Sequence, residues 1–79
     1  TLTTSAVYPR EVIKRVLHHQ AAALIISHQH PSGNTNPSSD DIALTQKIKL
    51  AVNTIDVQLH DHILIAGSEF VSFADRGLI

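Results

Sequence analysis

An α/β fold, with a mixed β-sheet and flanking helices, is what this chain predicts, and three observations predict it. Apolar residues recur at helical spacing in two stretches, Val12 to Leu17 and Ile42 to Ile55. Branched or alternating apolar runs, Ala21 to Ile26 and Val57 to Phe73, read as strands. Between the first strand and the second helix lies a stretch dense in Pro, Gly, Ser and Asn. The order of elements becomes β-α-β-α-β-β-β, in two or three layers.

Thr1 to Val7 is β-branched and polar and reads as a strand end or connecting arm without a start of its own. Pro9 suits the first helical position, and Val12, Ile13, Val16 and Leu17 share a face, so a helix is predicted from Pro9 to about His19. Arg10, Lys14 and Arg15 face outward from it, and His18 and His19 sit at its C-terminal end, where they complement the dipole. Ala21 to Ser27 is continuously apolar and predicts a strand buried on both faces. Pro31 to Pro37 must be loop. A second helix is predicted from Ser38 to about Asn53, its buried face built from Ile42, Thr45, Ile48, Ala51, Val52 and Ile55. Val57 to His60, Ile63 to Ala66 and Phe70 to Phe73 read as three short strands, the last two joined as a hairpin across Gly67 to Glu69. Ala74 to Ile79 reads as a helical turn.

At 79 residues the chain is one domain, 1–79. A domain this small buries only about 60% of the surface of its unfolded form, so its stability is slender. It has no cysteine, which removes disulfides and thiolate metal sites and suits a reducing cytoplasm. Net charge is -1, and the six Lys and Arg are scattered rather than striped, so direct DNA binding by this segment is not expected. Its apolar runs are too short to span a bilayer and no signal peptide opens it, so no membrane role is expected. Six His against one Tyr, two Phe and no Trp point to histidine as the seat of the chemistry.

His28 and His30 leave the first strand as H-x-H, followed after seven residues by Ser38 and then Asp41. Alternate residues of a strand share a face, so both imidazoles aim one way, and Asp41 at the start of the next helix can add a carboxylate oxygen. Two His and one carboxylate leave a fourth position of tetrahedral zinc for water, as in catalytic sites. An isolated H-x-H is most often just polar residues at a strand end; the Gly/Pro turn that follows and the spacing to Asp41 argue for ligands. Ser38 and Asp41 also fit a capping box, and local sequence leaves capping and chemistry level. Asp is short for the reach back to the cap, which favours Asp41 pointing elsewhere. His60-Asp61-His62 is a second alternating pair without a third ligand. It reads as structural, with one His partly exposed and Asp61 or His62 bonding a turn or orienting a ligand. Neither Glu11 nor Glu69 is evidently delivered to the site as a base.

His28-Gln29-His30-Pro31-Ser32-Gly33, Pro37-Ser38 and Asp41 resemble the metal motif of the JAMM/MPN domain in its RadC form. Val7 to Val12, Ala21 to Ile26, Leu59 to Gly67 and Ser72 to Gly77 resemble RadC-like proteins as well, so the likeness spans nearly the whole chain. It implies a cytidine deaminase-like core whose N-terminal strands are missing here, making residues 1–79 a partial domain. It further implies Zn2+ held by His28, His30 and Asp41, and Ser38 as the catalytic group that steadies an oxyanion. The implied reaction is hydrolysis of a peptide or isopeptide amide in a protein or peptide substrate, with a general-base Glu upstream of Thr1. The alternative is a non-catalytic JAMM-like scaffold for protein association, or an accessory to DNA repair or mobile elements. Without its opening strands the sheet has an open edge, which self-association or an N-terminal segment is expected to cover.

Overall fold

The computed structural model describes residues 8–79, and the arm expected at Thr1 to Val7 lies outside them. Its elements run α1 (Pro9–His18), β1 (Ala23–Gln29), α2 (Ser39–Asn53), β2 (Gln58–Ala66) and β3 (Glu69–Ser72). The strands form a mixed sheet in the order β1-β2-β3, with β1 parallel to β2 and β3 antiparallel to it. The parallel pair requires a crossover, and α2 is that crossover.

Why α1 forms is visible in its sequence. Pro9 occupies the first turn, where its missing N–H costs nothing, and Glu11 complements the positive end of the helix. Val16 is its buried residue, packed with Ile48 and Val52 of α2, Leu59 of β2, and Val57 just before β2. Asp41, Thr45, Ile48 and Val52, spaced by three and four, form the buried side of α2. A second cluster, Leu64, Val71 and Phe73, closes the far end of the sheet. Each such side chain contributes about 1.5–3 kcal/mol when fully buried.

Both helices pack on one side of the sheet, so two layers are present among the described residues. This corrects the expectation that β1 is buried on both faces. Leu24, Ile26 and His28 turn inward, but Ile25 is 63% exposed. With Ile65 and Phe70, also exposed, it forms an apolar outer face. The two short strands expected at Val57 to His60 and Ile63 to Ala66 are a single strand, β2. Its continuity rests on a bulge: Leu24 pairs with Leu59 but Ile25 pairs with Asp61, leaving His60 as an extra residue. The insertion shifts the alternation, so Leu59 and His62 are both buried while His60 is exposed. His60 and His62 therefore do not share a face. The expected hairpin turns at Gly67, and the tail is a run of hydrogen-bonded turns, with the Arg76 N–H donating to the Ser72 carbonyl at 3.2 Å.

Both helices end alike. After α1 the Ala21 N–H donates to the Val16 carbonyl at 3.0 Å and the Gln20 N–H to Leu17 at 3.1 Å, while Gln20 takes a φ of 51°. Asp56, at φ 59°, does the same after α2, and Val57 bonds back to Val52 at 3.0 Å. This is the left-handed helix stop that glycine usually fills. Gln20→Gly is accordingly expected to stabilise the protein by about 0.5–1 kcal/mol, read as a higher midpoint in urea denaturation.

Candidate metal centre

His28 lies in β1, and His30 follows one residue beyond its end. The strand path continues through His30 because its N–H donates to the Ile65 carbonyl of β2 at 2.8 Å. The pleat therefore turns both rings inward. Beyond them the chain reverses in a turn closed by the Gly33 N–H on the His30 carbonyl at 3.1 Å, with Gly33 at φ 76°. The reversal brings the Asn34 carbonyl to within 3.0 Å of the Nδ1 of His30. A carbonyl only accepts, so that nitrogen carries the proton and the Nε2 of neutral His30 presents a lone pair.

Asp41 closes the site from α2. Its Oδ2 is 2.9 Å from His30 Nε2 and its Oδ1 is 3.2 Å from His28 Nε2. His28, His30 and Asp41 each bring one ligand atom to within 4.8 Å of the others. The structure thus gathers at one point the three candidate ligands read from the sequence. The Nε2 of His28 is buried and has no hydrogen-bond partner among the described residues. A buried nitrogen without a partner, and a lone pair facing a carboxylate, are unfavourable unless something positive lies between them. Two imidazole nitrogens and one carboxylate oxygen are a donor set that fits a metal ion.

Asp41 reaches the helix cap despite its short side chain: the Ser38 N–H donates to Oδ2 at 2.9 Å while the Asp41 N–H donates to Ser38 Oγ at 3.0 Å. The capping box is complete, and capping and ligand geometry coexist because the carboxylate has several acceptor sites. Ser38 is an exposed N-cap at the rim of the site; accepting from Asp41 leaves its own hydroxyl proton free to be donated outward. Burial alone would push the Asp41 carboxyl up, but the Ser38 backbone and side-chain hydrogen bonds, with His28 and His30, hold it below the usual range.

Around these residues lies an open cleft of about 1050 Å³ whose walls include Glu11, Arg15, Asp40, Lys47 and Ser38. Glu11, which the sequence did not deliver to the site, lines this cleft, though it also meets Lys14 at 3.7 Å and Arg10 at 3.6 Å.

Behind the ligands, His62 Nε2 is 2.8 Å from His28 Nδ1, and His62 Nδ1 is 2.6 Å from Thr45 Oγ1. The expectation that Asp61 or His62 bonds a turn holds for Asp61, while His62 lies against His28, one of the candidate ligands. Asp61 accepts from Ser72 Oγ at 2.5 Å, the Ala74 N–H at 2.9 Å and the His62 N–H at 2.7 Å, tying β2 to the turn after β3. From the sequence Thr45 is only a core position of α2. A hydroxyl in an apolar helical stripe was the available clue, since a buried hydroxyl needs a partner.

A family model described as RadC-like JAB domain matches residues 1–78. A UPF0758 protein of Nitrosomonas europaea is 57% identical over all 79 residues, which make up 35% of its own length. UPF0758 proteins of Nitrosospira multiformis and Variovorax paradoxus are 52% and 49% identical over the same 79 residues, again 35% of each. This chain spans about a third of the length of the curated relatives it matches.

Burial, then the neighbouring His28, lowers the His62 imidazole from 6.5 to about 4. The unfolded chain then takes up a proton at higher pH than the folded one, so this contribution to stability is whole above pH 6.5 and is lost as pH falls toward 4. His28 is lowered also, chiefly by burial, and acts in the same sense. In metal-free protein the unfolding free energy is expected to drop by roughly 3 kcal/mol through His62 across that range. Urea titrations at a series of pH values check it, with His62→Gln expected to flatten the slope.

Proposed function

We propose that this chain, which belongs to the RadC-like JAB domain family, carries the zinc-holding part of a hydrolase that cleaves peptide or isopeptide amides. The observation that supports this reading is the convergence of His28 Nε2, His30 Nε2 and the Asp41 carboxylate at the wall of an open cleft. When bound there, zinc supplies Lewis acidity toward a substrate carbonyl and makes water acidic enough to lose a proton near neutral pH.

The chain's own residues do the positioning. The Asn34 carbonyl fixes the His30 ring. The helix cap holds Asp41 ionised and aimed at both imidazoles. Ser38 has a free hydroxyl proton to offer to a developing oxyanion. The proton acceptor is assigned to a carboxylate in the part of the longer relatives that this chain does not span, because Glu11 is engaged with Arg10 and Lys14. A part in DNA repair enters only through the RadC resemblance, and the scattered cations do not favour direct contact with DNA. A purely associative, non-catalytic role does not account for an unpartnered buried imidazole nitrogen beside a carboxylate.

Native mass spectrometry tests the assignment: wild type is expected to carry zinc and His30→Ala to lose most of it. Equal metal in both defeats the site.

The apolar outer face of Ile25, Ile65 and Phe70 is assigned to further chain of the kind the relatives possess. The 79-residue chain alone is therefore expected to self-associate, and sedimentation as a well-folded monomer overturns that assignment.

A further inference from the structure

His62 is almost wholly buried, at 3% exposure, and Thr45 is entirely so. His62 reaches only the back wall of the cleft and is not one of the three converging donors, yet with Thr45 it forms an unbroken chain of contacts from α2 to His28. Thr45 Oγ1 lies 2.7 Å from the Asp41 carbonyl and 2.6 Å from His62 Nδ1, and His62 Nε2 lies 2.8 Å from His28 Nδ1. The His62 ring is clamped from its other side by Phe73, stacked at 4.2 Å between centroids and 26° between planes.

The direction of these bonds follows from proton counting. A carbonyl has no proton to give, so the single hydroxyl proton of Thr45 goes to Asp41. Thr45 Oγ1 can then only accept from His62 Nδ1, which must carry a proton. Neutral His62 has one ring proton, so its Nε2 is a bare acceptor, and His28 Nδ1 must donate to it. Neutral His28 is left with its lone pair on Nε2, the atom that faces Asp41 and His30. The reverse assignment would put a proton on His28 Nε2, where no hydrogen-bond partner with suitable geometry receives it.

We propose that His62, anchored by Thr45, is a positioning residue of the metal centre: it selects the His28 tautomer whose Nε2 can ligate and fixes the plane of that ring. Metal-binding histidines ordinarily donate their second nitrogen to a carboxylate or carbonyl. Here a neutral imidazole takes that place, so His28 is oriented without a further anion beneath it. The inference rests on the zinc reading above, but the tautomer can be measured without zinc.

In the full chain, labelled with 15N on histidine and stripped of metal, NMR at mildly alkaline pH is expected to show His28 protonated on Nδ1 and bare on Nε2. Zinc affinity, measured by competition with a chromogenic chelator, is expected to fall about 10- to 100-fold in His62→Leu. His62→Gln, whose Oε1 can accept from His28, is expected to recover most of that loss. If His62→Leu does not fold by circular dichroism, Thr45→Val takes its place, with weaker zinc binding and a mixed His28 tautomer expected. A proton on Nε2 of His28 in the metal-free wild type overturns the proposal. So does a folded His62→Leu, or in its place Thr45→Val, that binds zinc as tightly as wild type, or a His62→Gln no better than His62→Leu. Wild type that binds no zinc defeats the hydrolase reading instead and leaves the NMR result to decide this one.

Discussion

The carboxylate of Asp41 is the contact on which fold and site both depend. One side chain caps α2 through the Ser38 N–H and stands within 3.2 Å of both inward imidazoles. Helix caps are typically worth about 1 kcal/mol, a sizeable share of the stability of so short a chain. The position of this candidate ligand is thus held by the same bonds that start the helix, and α2 cannot begin elsewhere without dissolving the cluster. Buried carboxylates are costly, and the two Ser38 hydrogen bonds are the first of the contacts that offset this one's loss of water.

Much of this arrangement was legible in the sequence. The two-residue step from His28 to His30 put both rings on one face because the pleat has a period of two, and the structure keeps that relation. Pro9 and Ser38 marked the helix starts for the same local reasons that the structure shows. What local sequence could not carry was the identity of neighbours. The run from Ala21 to Ser27 has the composition of a strand covered twice, yet among the described residues its second face meets no helix. The reach of Asp41 depended on the path of the loop before it, and the Asn34 carbonyl behind His30 is a backbone group that no residue type announces.

Polar groups in the interior are concentrated behind the ligands rather than spread through the core. Thr45 and His62, with Asp41, are the buried polar residues of the described chain, and they form one connected set. The remaining core is aliphatic apart from Phe73, which lies against His62. A connected set of this kind is rigid when every member is satisfied, because each bond fixes the direction of the next. It also explains why Thr occupies a helical position that Val would fill as well by shape.

The extra residue at His60 has a bearing on how portable such a centre is. Upstream of it, β2 turns Leu59 toward the helices; downstream, the opposite parity turns His62, Leu64 and Ala66 the same way. A straight strand of identical composition would send His62 to the solvent and strip His28 of its support. Grafting His28, His30 and Asp41 onto another scaffold would therefore reproduce their convergence but not its backing, unless the transplant also imported the kink that changes the strand's phase.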